Sequence, residues 1–156
     1  MTVILGGVNN RRRIVTFDWI TMEYTEHNST LIKERVRSSC SVVKSREGQK
    51  VVAIAGGGTN STGLEIWNPI DDSVEFLCDL LPSEEGQKTE GLQDPRMVPI
   101  NGGSEILIYG GSFGGGSRQN KIWRYSFEND SWDEFGKMRI EREEHVVLPV
   151  VGLQCN

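Results

Sequence analysis

The chain has 156 residues, a formal net charge of −5, 37% hydrophobic residues and 25% charged residues. That is enough chain to bury a core, with the composition of a globular domain. Its negative charge, with Arg11-Arg12-Arg13 as the one basic run, argues against a nucleic-acid or anionic-membrane surface, and no apolar run of about 18 residues is present to span a bilayer.

The first element in chain order is a strand at Val3-Ile4-Leu5, closed by Gly6-Gly7. Two later apolar runs end the same way, Ala53-Ile54-Ala55 at Gly56-Gly57 and Leu107-Ile108-Tyr109 at Gly110-Gly111. Each has the length of a buried strand, and the paired glycines end it with backbone that can take φ > 0 and pass close to its neighbours. A second strand follows each pair, marked by an aromatic residue: Phe17, Trp67 and Tyr125. Three residues before each aromatic stands an aliphatic residue, Ile14, Leu64 and Ile122. Seven residues after each comes Tyr24, Val74 or Trp132, beyond a polar turn such as Glu128-Asn129-Asp130-Ser131. That spacing predicts a hairpin three times.

A fourth strand is expected after each unit, at residues 37–43, 96–100 and 142–148. Residues 83–92 read as a protruding polar loop. The aromatic markers repeat after 50 and then 58 residues, the spacing of a propeller blade of four short strands. The expected blades run over residues 1–37, 38–92 and 93–140, with the first strand of a further blade at residues 145–151.

With paired glycines, Tyr125, Trp132, Met138, Arg142 and His145 in order over residues 106–147, the chain resembles the kelch repeat family. The resemblance implies an all-β fold of four-stranded antiparallel propeller blades. In the first repeat Phe17 and Tyr24 stand where the family has Tyr and Trp; in the second, Trp67 and Val74 do. Gly6, Gly7, Gly56, Gly57, Gly110, Gly111, Trp67, Tyr125 and Trp132 are read as scaffold. Closed propellers have about 4–8 blades, so this length implies an incomplete ring of about three. Two readings follow: a piece of a larger kelch protein, or two chains joined as three plus three blades, each C-terminal strand completing the partner's first blade.

No cofactor or metal chemistry is legible. The Gly-rich stretch at residues 110–117 has no Gly-Lys-Ser/Thr and leads into a strand, so it does not read as a phosphate loop. His27 and His145 lack metal-ligand spacing. The kelch resemblance implies a non-enzymatic module that binds a partner protein, of substrate-adaptor or scaffold type. The enzymatic alternative is a secreted carbohydrate-active or galactose oxidase-like propeller. Family partners commonly dock just after the Gly-Gly pair and around the Arg before the next blade. The matching candidates are Asn9, Asn60 and Phe113, with Arg37, Arg96 and Arg142 as groups able to pair with acidic peptides. Cys40, Cys78 and Cys155 are too few and too odd in number for a disulfide framework and read as buried or half-buried thiols. Residues 1–7 lack a signal-peptide pattern, which suggests a cytoplasmic setting. The sequons at Asn28, Asn60 and Asn129 favour an extracellular one.

Overall fold

The computed structural model describes residues 1–7, 9–58, 63–79, 91–113 and 116–147. Apart from one 3-10 turn at Asn101–Gly103, every regular element among them is a strand. No helix among them is long and apolar enough to cross a membrane.

Three antiparallel sheets follow one another along the chain. The first holds β1 (Thr2–Leu5), β2 (Arg13–Asp18) and β3 (Glu23–Thr30), in that order. The second holds β4 (Ser39–Lys44), β5 (Lys50–Ala55), β6 (Gly63–Asn68) and β7 (Ser73–Asp79), also in chain order. The third begins with β8 (Arg96–Ile100) and β9 (Glu105–Tyr109). A short ribbon of β10 (Ser112–Phe113) and β11 (Ser117–Arg118) then intervenes before β12 (Lys121–Ser126) and β13 (Ser131–Lys137) complete the sheet. Two sheets thus have the four strands of a propeller blade and the first has three.

The spaced aromatics of the sequence are cross-strand partners. Phe17 lies opposite Tyr24, Trp67 opposite Val74, and Tyr125 opposite Trp132. Residues facing each other in this way share one face of the pleat. The hairpin turns match as well: Met22, Asp72 and Asp130 each take a left-handed backbone at the same place.

The sheets stack face to face. Ile14 and Leu31 meet Val52, Ile54 and Trp67 between the first and second sheets. Val43, Val51, Ala53 and Leu64 meet Ile106, Ile108 and Tyr125 between the second and third. Strand β5 is buried on both faces after Lys50, because it lies between the two junctions. Among the described residues no sheet lies in front of the aromatic pair of the first sheet, and Tyr24 is 68% exposed.

The expected strand at residues 142–148 does not form within residues 142–147. Strands β4 and β8 each pair with the next strand of their own sheet, β5 and β9. Residues 142–147 have no such partner among the described residues and are held as a connector, with the Arg142 amide donating to the Gln119 carbonyl at 3.1 Å. Residues 148–151, most of the expected loop at 83–92, and Cys155 lie outside the described residues. Cys78 is half-buried, whereas Cys40 is exposed because β4 is an edge strand.

Burial ranks the three aromatic positions. Trp67 is fully buried, Trp132 half-buried and Tyr24 exposed. Truncating a buried aromatic costs about 3–5 kcal/mol. Trp67→Ala should therefore shift the urea midpoint most, Trp132→Ala less, and Tyr24→Ala hardly at all. Equal shifts for all three would contradict this packing.

Candidate functional site at the Gly-Gly end

The same backbone frame occurs three times where a sheet meets its outgoing connector. Gly6, Gly56 and Gly110 have φ of 65°, 70° and 54°. A Cβ at these positions would lie 2.4, 2.5 and 2.4 Å from the carbonyl oxygens of Arg35, Leu92 and Arg142. Only glycine fits there. The next glycine then donates its N–H to that same carbonyl: Gly7 to Arg35 at 3.1 Å, Gly57 to Leu92 at 2.8 Å, and Gly111 to Arg142 at 2.8 Å. Two residues further on, each connector turns left-handed, at Arg37, Asp94 and Glu144. None of these is glycine, and such backbone is sparsely populated by other residues.

This frame corrects the repeat alignment at the connectors. Arg142 stands level with Arg35 and Leu92, not with Arg37 and Arg96. The connectors are anchored to the glycine amides behind them, so counting back from the strand ahead gives the wrong register.

Arg35 was not among the candidates, yet it is central. Its guanidinium and the Glu65 carboxylate are both fully buried. Arg35 Nε donates to Glu65 Oε1 at 3.1 Å, and Nη2 donates to the same oxygen. Nη1 donates to the Gly56 and Gly63 carbonyls at 2.7 and 2.9 Å. Glu65 also accepts the amides of Ile32 at 2.7 Å and Lys33 at 3.0 Å. Burial pushes the Arg35 pKa down, against the pull of Glu65. One signal for it stood in the sequence: Glu65 interrupts an otherwise apolar strand, Leu64-Glu65-Ile66-Trp67.

Around the Gly-Gly end three exposed arginines are ion-paired. Arg11 meets Glu34 at 3.1 Å, Arg37 meets Asp94 at 3.5 Å, and Arg118 meets Glu143 at 2.7 Å. Arg37 itself is 58% exposed in its side chain. Asn9 is exposed and lines an open recess with Asn10, Arg11, Arg12 and Glu34. Phe113 is half-buried and folds back on the core between the second and third sheets. Ser112 is buried, and its backbone exchanges hydrogen bonds with Gln93 at 2.8 Å. Arg96 is spent on backbone, donating to the carbonyls of His145 and Pro95. Arg142 is exposed. Asn60 lies outside the described residues. The frame therefore brings Asn9, Arg37 and Phe113 to one end, where Asn9 and Arg37 are exposed and Phe113 is half-buried.

At the opposite end lies a second array that sequence reading missed. Thr16 Oγ1 is 3.1 Å from His27 Nε2, and His27 Nδ1 is 3.3 Å from Asp72 Oδ1. Trp67 Nε1–H also donates to Asp72 Oδ1, at 3.0 Å. That bond, above all, holds the Asp72 carboxyl below the usual carboxylate range. The hydroxyl–imidazole–carboxylate order is that of a hydrolytic triad, but Thr16 is only 7% exposed, inside the junction of two sheets. The array acts as a lock between the first and second sheets. Among the described residues, no group of three or more His, Cys, Asp or Glu side chains is placed to hold a metal ion.

The sequence profile of the Kelch motif matches residues 100–139. That stretch covers Gly110-Gly111, the Tyr125–Trp132 pair and all of β9, β12 and β13, about a quarter of the chain. The chain carries a kelch repeat. Its sheets are kelch-type blades arranged as an incomplete propeller. No curated protein matches the chain.

The kelch connector between the second and third blades has a distinctive acid. Asp94 is 7% exposed, and burial raises its pKa above the ordinary carboxylate value despite Arg37. A carboxyl whose folded pKa is raised favours folding below its unfolded pKa, and that contribution is lost as pH rises through the folded value. At neutral pH Asp94→Asn should therefore melt no lower than the wild type. The difference should close below about pH 4, where the carboxyl is protonated in both states. A variant that melts lower at neutral pH and recovers in acid would reverse the sign.

Proposed function

We propose that the chain is a non-enzymatic interaction module of substrate-adaptor or scaffold type that presents the Gly-Gly end of its kelch blades to a segment of a partner protein. One observation carries this reading. Three successive connectors hold a charged residue, Arg37, Asp94 and Glu144, in left-handed backbone at the same end of the blades. Backbone of that kind persists where the surrounding structure enforces it, and it clusters at binding and switch sites. Binding residues on rigid scaffolds sit on such loops.

The chemistry offered is mixed charge on a rigid rim. Arg37 can turn from Asp94 toward an acidic group of a partner, and the recess at Asn9 adds Arg11 and Arg12. Phe113 supports this rim from beneath. A partner segment carrying carboxylates beside polar backbone would match it by paired hydrogen bonds.

A photocrosslinking residue can be placed at position 9 or 37, and in control chains at position 47 or 70 on the opposite turns. Positions 9 and 37 should capture one common protein from native extracts, and the controls should not. Arg37→Glu should weaken that capture without lowering the melting temperature. Capture of the same protein from all four positions, or capture indifferent to Arg37→Glu, would overturn the proposal.

A further inference from the structure

We propose that the crevice between the second and third sheets, at the turn end of the blades, is a binding site for a small planar cation of the imidazolium type. It lies at the opposite end from the rim and does not depend on that reading.

The first junction displays the chemistry that such a site takes. There His27 of the first sheet reaches across to the second. Its Nδ1 is 3.3 Å from Asp72 Oδ1 and its Nε2 is 3.1 Å from Thr16 Oγ1. The ring meets Trp67 edge to face, with centroids 4.7 Å apart. The Trp67 indole N–H in turn fixes Asp72 at 3.0 Å. An imidazole thus fills the space between an aromatic ring and a carboxylate.

The second junction repeats the aromatic and the carboxylate without the imidazole. Tyr125 stands opposite Trp132 as Trp67 stands opposite Val74, and Asp130 follows Tyr125 by five residues as Asp72 follows Trp67. Both acids have left-handed backbone, and the Tyr125 hydroxyl donates to Asp130 as the Trp67 indole does to Asp72. Three residues beyond the cross-strand partner comes His27 in the first sheet but Leu77 in the second. One residue before the strand aromatic comes Thr16 in the first but Ile66 in the second. Where the first junction has a ring and a hydroxyl, the second has a cavity of about 130 Å³ lined by Ile66, Leu77, Tyr125 and Phe127. A cavity of ~150 Å³ accepts a benzene ring, and an imidazole ring is smaller.

Charge selects the occupant. Glu47, Glu75 and Asp130 line the cavity together with one guanidinium, that of Arg46. Arg46 Nη2 stays 4.0 Å from Asp130 Oδ2, its side chain is 61% exposed, and its Nε donates to the Phe127 carbonyl at 3.4 Å. The site is therefore net negative, beside two aromatic rings whose centroids are 5.0 Å apart. Such surroundings favour a cation flat enough to lie against a ring, and they disfavour an anion.

The test titrates the full chain with imidazole at about pH 5.5, where that ring is mostly charged, and follows the backbone amides of Tyr125 and Phe127 by NMR. Saturable shifts centred on this crevice are expected. Pyrazole, a ring of the same size that stays neutral, should bind at least about tenfold more weakly, and Asp130→Asn should weaken imidazole by a similar factor, the scale of a close charge pair. Asn tolerates left-handed backbone, so this variant keeps the turn. Leu77→His, which installs the ring that the first junction carries, should abolish the titration. If circular dichroism shows that chain unfolded, Leu77→Phe fills the cavity instead and should do the same. Titration of the same amides by N-acetylhistidinamide would support a partner's side chain as the source of the cation, and titration by imidazole alone would support a free ligand. An absence of saturable shifts, equal binding of pyrazole, or imidazole affinity unchanged by Asp130→Asn or by filling the cavity would overturn the proposal.

Discussion

The buried pair of Arg35 and Glu65 fixes how the first two blades meet, and the rim geometry follows from it. Two charges without solvent access are costly unless their lone pairs and protons are met. Here Glu65 accepts from Arg35 and from the amides of Ile32 and Lys33, while Arg35 also reaches the carbonyls of Gly56 and Gly63. The carboxylate thus holds the backbone of the connector as well as its side chain. With residues 32–35 held, the Arg35 carbonyl meets the Gly7 amide and the chain turns left-handed at Arg37. An exposed arginine on the rim owes its position to a buried one two residues earlier.

The second junction reaches the same backbone geometry by different means. Leu92 replaces Arg35 and is buried among Ala55, Leu64, Ile106 and Ile108. The glycine frame is common to both, so it is the scaffold's constant part, and the residue at the Arg35 position sets what the next sheet must offer. At the far end of the first junction the array of Thr16, His27, Asp72 and Trp67 closes the same pair of sheets through polar contacts. The first junction is thus held by polar groups at both ends with an apolar centre between them. The second combines apolar burial with scattered polar contacts: Trp132 Nε1–H donates to the Cys78 sulfur at 3.3 Å, the Met97 amide to Ser39 Oγ at 2.9 Å and Arg46 Nε to the Phe127 carbonyl at 3.4 Å.

Strand positions, glycine pairs and the aromatic partners were legible in the sequence because each obeys a local rule. Strand pairing across a short turn puts residues seven apart opposite each other, as with Trp67 and Val74. Paired glycines mark where backbone passes backbone. The connectors were not legible, because their register depends on contacts with a preceding sheet and not on spacing along the chain. Arg35 looked like one charge among several in Lys33-Glu34-Arg35, and nothing local separates the residue that turns inward from its exposed neighbours. Phe113 was ambiguous in another sense: an aromatic in a Gly/Ser loop could be an exposed anchor or fold back on its own blade, and it packs half-buried on the core between the second and third sheets.

Hydrogen exchange at two amides tests the central role of Glu65 most directly. The amides of Ile32 and Lys33 both donate to the Glu65 carboxylate, at 2.7 and 3.0 Å, while their side chains are exposed. If the clamp organises the connector, both should exchange as slowly as the amides of β5, since protection then requires opening the junction. Both should quicken together in Glu65→Gln. Exchange at Ile32 and Lys33 as fast as in the exposed turn at residues 45–49 would show that the connector is not held by Glu65, and the account of the rim would fall with it.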